Sequence, residues 1–453
     1  MQSTRAIAIA AFMGGTLVAG GFRATAQEPA PVTYAITGAR IVPVAGATVD
    51  RGTVVFRDGV ITAVGASVAV PTGAVVIEGK GLTVYPGLVD LGSAAGLEAP
   101  AAPQDGAPQT TEDVERRKRA LLLRPHVRAS DGVNPGAQAL SRAAAAGITT
   151  VLAVPPGEVF RGQSALVLTS AGPDAPQVGA VADDRRRPIV VKSPVALHVA
   201  MPDRPGGGNA YPNSLMGVIA FVRQTFLDAQ HHQASLEHAA KHNRPAPAPD
   251  AAFDALQPAL AGRLPVAFEA ETAREIRRAL DMAAAFRLTP IVTNAREADT
   301  VTSELKAAGA RVILSLNYPR RPESLAPDAD ESLATLRARA NAPKTAAALE
   351  KAGVWFGFAS NGLSDPKDFV KNAAKAVQHG LSRDAAVRAL TLGAATLAGV
   401  ADRVGSIEAG KLANLLVVEG DLFDEKMAVR HVFVNGKPVT LDAPAAQPRR
   451  GGN

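Results

Sequence analysis

The sequence contains no cysteine. That excludes disulfides, thiolate nucleophiles, zinc–thiolate sites and iron–sulfur clusters. Metal ligation, if any, falls to His, Asp, Glu and Lys, and only eight His are spread over 453 residues. Aromatic residues make up 4% of the chain, with a single Trp, so Ala, Val and Leu must fill the core. There is no G-x-S-x-G nucleophile elbow, and no Gly-rich dinucleotide loop follows a strand-like segment. Lys and Arg exceed Asp and Glu by six. The basic residues are not interleaved with aromatics, so they are expected to be a solvated surface, and no nucleic-acid partner is expected.

What is present begins with an apolar stretch behind Arg5, "AIAIAAFMGGTLVAG", closed by Ala24-Thr25-Ala26. This is the pattern of an export signal, with cleavage expected near Ala26 and a periplasmic destination. Gly pairs interrupt the stretch, and it is shorter than the roughly 20 apolar residues that a span needs, so no membrane span is expected after cleavage. Residues 31–84 read as short strands with tight turns. "FRDGVITAVG" places Asp58-Gly59 at a two-residue hairpin. Residues 401–442 resume that grammar, with Asn435-Gly436 at another hairpin. Two β pieces at opposite ends of a chain predict one composite β-sandwich. Between them, residues 85–400 alternate helical segments with short apolar strands, as in "TAREIRRALDMAAAFRLTPIVTNA". That alternation predicts parallel βαβ units, and the length suits a closed (β/α)8 barrel, a TIM barrel. Residues 97–118 and 241–252 read as surface loops, and 443–453 as a disordered tail.

Three segments carry a resemblance. "VYPGLVD" leads from the first β unit into the barrel, "AAAAGITTVLAVPPG" forms a second barrel strand, and "GLSRDAAVRALTLGAATLAGVADRVGSIEAGKLANLLVVEGDLF" closes it. The chain resembles the amidohydrolase superfamily, in its exported imidazolonepropionase-like branch, over nearly all of its length after the signal. The resemblance implies a hydrolase of non-peptide C–N bonds that usually binds one or two divalent metals such as zinc. The metal lowers the pKa of a bound water, and a carboxylate takes its proton.

In this family a His-x-His pair ends the first barrel strand, single His residues end the fifth and sixth, and an Asp ends the eighth. Here "PGLVDLGSAAG" sets Gly92 and Ala94 at the pair. Glu269 falls at the fifth strand, Asn294 at the sixth, and Asn361 at the eighth beside Ser360. Asp90 is normal for the family and supports the structure. His198 is the one His near a strand end and the remaining candidate for the pocket. His231, His232, His238 and His242 cluster in "AQHHQASLEHAAKH", where His238 and His242 are an i,i+4 pair with Ala239 in place of a catalytic Glu. His379 is expected to cap a helix, and His126 and His431 carry no site.

These losses make no cofactor expected and leave two readings open. In one, the chain is a catalytically degenerate member, a pseudoenzyme that binds a ligand or accompanies an active amidohydrolase paralogue or a second copy of itself. In the other it is an active hydrolase of cyclic amides or short peptides with an atypical site around Glu269, Asn294, Asn361 and His198.

Overall fold

The computed structural model describes residues 32–98, 109–170, 190–205, 210–326 and 328–441. The expected export signal and the expected tail lie outside the described residues, as do residues 99–108 of the expected 97–118 loop.

Five strands open the chain: β1 (Thr33–Ile41), β2 (Val49–Arg57), β3 (Val60–Gly65), β4 (Val75–Glu78) and β5 (Leu82–Pro86). Ten follow in the middle: β6 (Leu88–Ser93), β7 (Ile148–Ala153), β8 (Phe160–Gln163), β9 (Ala165–Leu168), β10 (Val190–Lys192), β11 (Leu197–Ala200), β12 (Val266–Glu269), β13 (Pro290–Thr293), β14 (Arg311–Ser315) and β15 (Phe356–Ala359). Three close it: β16 (Leu415–Glu419), β17 (Ala428–Val434) and β18 (Lys437–Pro438).

The first five and last three strands share one mixed sheet in the order β18-β17-β16-β5-β1-β2-β3, with β4 also beside β1. The two ends of the chain join where β16 runs antiparallel to β5, Leu415 opposite Pro86. Asp58 and Gly59 both take positive φ, as do Asn435 and Gly436, the geometry of hairpin turns that match strand twist. A separate apolar core of Ile36, Ile41, Phe56, Val84, Leu415 and Phe433 lies under this sheet.

The middle strands form the barrel wall. One sheet runs β10-β9-β7-β6 and the other β15-β14-β13-β12-β11-β8. β11 to β15 are successively parallel, and β6 is parallel to β7. Seven of the eight wall positions therefore follow the expected βαβ pattern, and the third does not. The segment 160–168 runs antiparallel to both neighbours, with β9 on β7 and β8 on β11. The connection from β7 to β8 is only "VPPGEV", too short for the crossover that a parallel strand needs, so the chain must turn straight back. The ring closes where β15 meets β6: the Asn361 amide donates to the Gly92 carbonyl at 3.0 Å.

A second departure is the helix Thr111–Leu122, within what the sequence reading took as a loop. Thr110 and Asp113 form a reciprocal capping box that starts it. Ala, Val and Leu fill most of the barrel core, and Phe is used at a few sites such as Phe160, Phe226, Phe268 and Phe358.

The antiparallel segment depends on Gly162, which holds φ +123° and whose missing Cβ would fall on the Val127 carbonyl oxygen. Gly162→Ala is expected to cost about 2–4 kcal/mol. Gly309→Ala, at φ +59° with open space around it, is expected to cost about 1 kcal/mol. Urea unfolding of the two variants checks this, and equal losses would refute the role given to the 160–168 strand.

Candidate functional site at the barrel mouth

The C-terminal ends of β6, β13, β14 and β15 meet at one side of the barrel. Asp90 on β6 is 2% exposed. Its Oδ1 accepts the Gly92 amide at 3.1 Å and the Ser360 amide at 2.8 Å. Burial outweighs these hydrogen bonds and pushes its carboxyl up to about 6. The Ser360 hydroxyl in turn donates to the Gly92 carbonyl at 3.4 Å.

Gly92 is enclosed. A Cβ there would stand 3.0 Å from Asn361 Oδ1 and 3.1 Å from the Ala359 Cβ, so a side chain would need these neighbours to give by a few tenths of an ångström. Ala94 lies past the strand, exposed, where its carbonyl accepts the Leu97 amide in a turn. Asn294 directly follows β13 and Asn361 stands two residues past β15, and they take φ +61° and +42°. Asn tolerates this left-handed conformation better than most residues. The two carboxamides face each other, with Asn361 Nδ2 donating to Asn294 Oδ1. Asn317 Nδ2 adds a bond to the Asn361 carbonyl at 3.2 Å.

Glu269 and His198 belong to a second cluster. Arg161 on β8 forms a close ion pair with Glu269 at the end of β12. His198 on β11 is 5% exposed, and its Nε2 is buried without a hydrogen-bond partner. Burial, reinforced by the Arg161 charge, lowers its pKa to about 3, so the imidazole is neutral. Arg161 Nε is also buried and unpartnered. The sequence reading found both ends of this cluster and missed the arginine between them.

A polar cleft of about 180 Å³ opens beside the two asparagines. Glu271, Arg296, Asn317 and Tyr318 line it with Asn294 and Asn361. Glu271 and Arg296 are close ion-pair partners, and burial pushes the Tyr318 hydroxyl pKa up. Glu271, Arg296 and Asn317 each stand two residues beyond a strand-end residue: Glu269, Asn294 and Ser315. Extending the sequence reading two residues into each loop would have found them. The cleft suits a few heavy atoms of a polar ligand, below the size usual for drug-like ligands. Its carboxamides can donate to and accept from an amide or carboxylate, but they cannot take a proton from water.

The amidohydrolase family matches residues 208–439, and the chain belongs to that family. No curated protein sequence matches it. Among solved structures it is similar to an amidohydrolase from Thermotoga maritima, 25% identical with a TM-score of 0.70, over 90% of this chain and 99% of that one. A putative prolidase from Bifidobacterium longum is 18% identical with a TM-score of 0.51, over 90% and 94%. Molinate hydrolase is 15% identical with a TM-score of 0.53, over 93% and 99%.

Family membership corrects one expectation. The sequence reading expected no cofactor, whereas members of this family typically bind zinc or another divalent metal. The side chains at the mouth do not fit that group. Gly92 and Ala94 offer no donor, Asn294 and Asn361 are bonded to each other, and Glu269 is held by Arg161. Among the described residues no group of three or more His, Asp or Glu could hold a metal ion. The conflict is a property of this chain, and no catalytic step through a metal follows from its side chains.

The raised pKa of Asp90 has a definite sign. Between pH 4 and 6 the unfolded carboxyl releases its proton before the folded one, so Asp90 makes stability fall as pH rises, by roughly 3 kcal/mol in all. Oδ1 of an Asn at this position can accept the same two amides. Asp90→Asn should therefore gain on the wild type from pH 4 to 6 and run parallel above that. Urea unfolding at several pH values checks it. The difference cancels His198, whose lowered pKa acts in the opposite sense. A flat difference would mean that Asp90 is not desolvated.

Proposed function

We propose that this chain is a non-hydrolysing member of the amidohydrolase family. It binds a small polar ligand in the cleft at the barrel mouth and acts beside an active paralogue or a second copy of itself. The observation that carries this is Asn361. It stands where the family places the carboxylate that activates water, and its carboxamide is bonded to Asn294. A carboxamide cannot act as a general base. The tight contacts that a side chain at position 92 would meet support the same reading. The facing carboxamides favour a ligand with amide or carboxylate groups.

The other reading, a hydrolase of cyclic amides or short peptides, draws on the likeness to the Thermotoga amidohydrolase and on the neutral imidazole of His198. That imidazole is sealed in the wall with Arg161, and the geometry favours it less. The leader pattern before Gln27 supports export. Among the described residues no helix is long and apolar enough to cross a membrane.

Purified protein supplied with zinc or manganese should show no turnover of X-Pro dipeptides or cyclic amides above background, and Asn361→Asp alone should not restore it. Thermal-shift titration with the same compounds should find a ligand whose affinity drops at least tenfold in Asn294→Ala and Asn317→Ala. Turnover that disappears in Glu269→Gln would establish the hydrolase reading instead. Protein recovered from the periplasm should begin at Gln27; an intact N-terminus would remove the export proposal.

A further inference from the structure

The helix Leu215–His242, at 28 residues, is the longest among the described residues, and it outruns the body that it packs on. Its buried positions run from Val218 to Ala229, and beyond them only Ala239 is buried. It starts on the mouth side, after β11. At 1.5 Å per residue its last turns lie roughly 35–40 Å along it from that start. It ends at Asn243 in a left-handed cap, followed by the exposed segment "RPAPAPD".

Four histidines stand on this far stretch, and they differ. His232 is turned inward, 3.8 Å from Asp254 and against the Phe253 ring. His231 is exposed and sits 3.5 Å from the Ser235 hydroxyl. His238 and His242, one turn apart, are exposed and bring their rings together, with centroids 4.2 Å apart and 30° between planes. Their i,i+4 spacing places two imidazoles over one patch of helix surface.

One hydrogen bond fixes the proton on this pair. His242 Nδ1 lies 2.9 Å from the His238 carbonyl oxygen. A carbonyl only accepts, so Nδ1 is the donor and carries the proton. The lone pair is then on Nε2, at the outer end of the ring. A backbone carbonyl orienting the inner nitrogen is the arrangement that prepares histidine as a metal ligand. The His238 imidazole makes no hydrogen bond among the described residues, so no such bond fixes its ring. The nearest carboxylate in sequence, Glu237, is engaged by Gln233 at 2.8 Å.

We propose that His238 and His242 form a two-point clamp for a late first-row divalent cation, separate from the barrel mouth. Each imidazole gives one Nε2, and water fills the remaining positions. Imidazole donors suit Cu(II), Ni(II) and Zn(II), and the general affinity order puts Cu(II) first. A tetragonal Cu(II) ion accepts two nitrogens and several waters, whereas zinc sites usually take three or four protein ligands. The clamp is therefore a copper-preferring site.

The test is titration of the full chain with Cu(II), followed by calorimetry and electron paramagnetic resonance. One Cu(II) should bind per chain, with hyperfine coupling from two nitrogens, and chelator should reverse it. His238→Ala and His242→Ala should each weaken binding at least tenfold. His238→Gln, which keeps a polar exposed side chain, should do the same with an unchanged circular dichroism spectrum. His231→Ala should stay within twofold of wild type. A His238→Ala/His242→Ala double variant that binds copper like the wild type would overturn the assignment. So would a wild type without saturable one-to-one binding.

Discussion

The carboxylate of Asp90 is the constraint on which the mouth depends. It is almost wholly withdrawn from water, at a cost that burial of an ion always carries. Two backbone amides offset that cost, one from its own strand end and one from the strand across the seam. Through them β6 and β15 are held at a fixed distance, and the Gly92 carbonyl is aimed at the Asn361 amide. The closure of the barrel and the crowding at Gly92 are thus one fact. Strand ends joined this closely leave a Cβ at position 92 in tight contact with Asn361 Oδ1 and the Ala359 Cβ.

The mouth divides into two polar clusters with different chemistry. Around Asn294 and Asn361 the facing carboxamides donate and accept beside the Glu271–Arg296 ion pair, so this cleft offers a polar ligand both neutral and charged partners. Around Arg161 and Glu269 the charged groups are partly exposed, while His198 is buried. There a guanidinium pairs with a carboxylate, and burial, reinforced by the same guanidinium, holds the adjacent imidazole neutral. Each cluster carries an ion pair, and they differ in what stands beside it, two carboxamides in one and a buried neutral imidazole in the other.

Much of this was legible in the sequence. The two hairpins were written in Asp58-Gly59 and Asn435-Gly436, because those pairs reach positive φ cheaply. The place of Gly92 at the end of β6, with Ala94 just past it, was legible because "PGLVD" pins them there. The antiparallel third strand was not legible from periodicity, since a buried strand reads the same in either direction. Only the shortness of "VPPGEV" carried that information. The helix at Thr111 was hidden by the Pro-rich run before it, although Thr110 and Asp113 spell its cap. Arg161 escaped because its role is a long-range pairing across β8, β11 and β12, which no local pattern encodes.

The substitutions at the mouth make electrostatic sense only as a set. The resemblance sets four imidazoles and one carboxylate around a dication. Here two of those positions hold carboxamides and two hold residues without polar side chains, and none of these needs a balancing charge. Glu269 stands at a position that the resemblance gives to a histidine, and Arg161 pairs its charge from within the chain. Restoring one ligand alone would disturb that balance. An Asp at 361 would set a new negative charge beside the Gly92 carbonyl and the Asn294 amide oxygen, with no cation facing it. A side chain at 92 would start in tight contact with Asn361 Oδ1 and the Ala359 Cβ, and the charges of Glu269 and Glu271 are already paired within the chain.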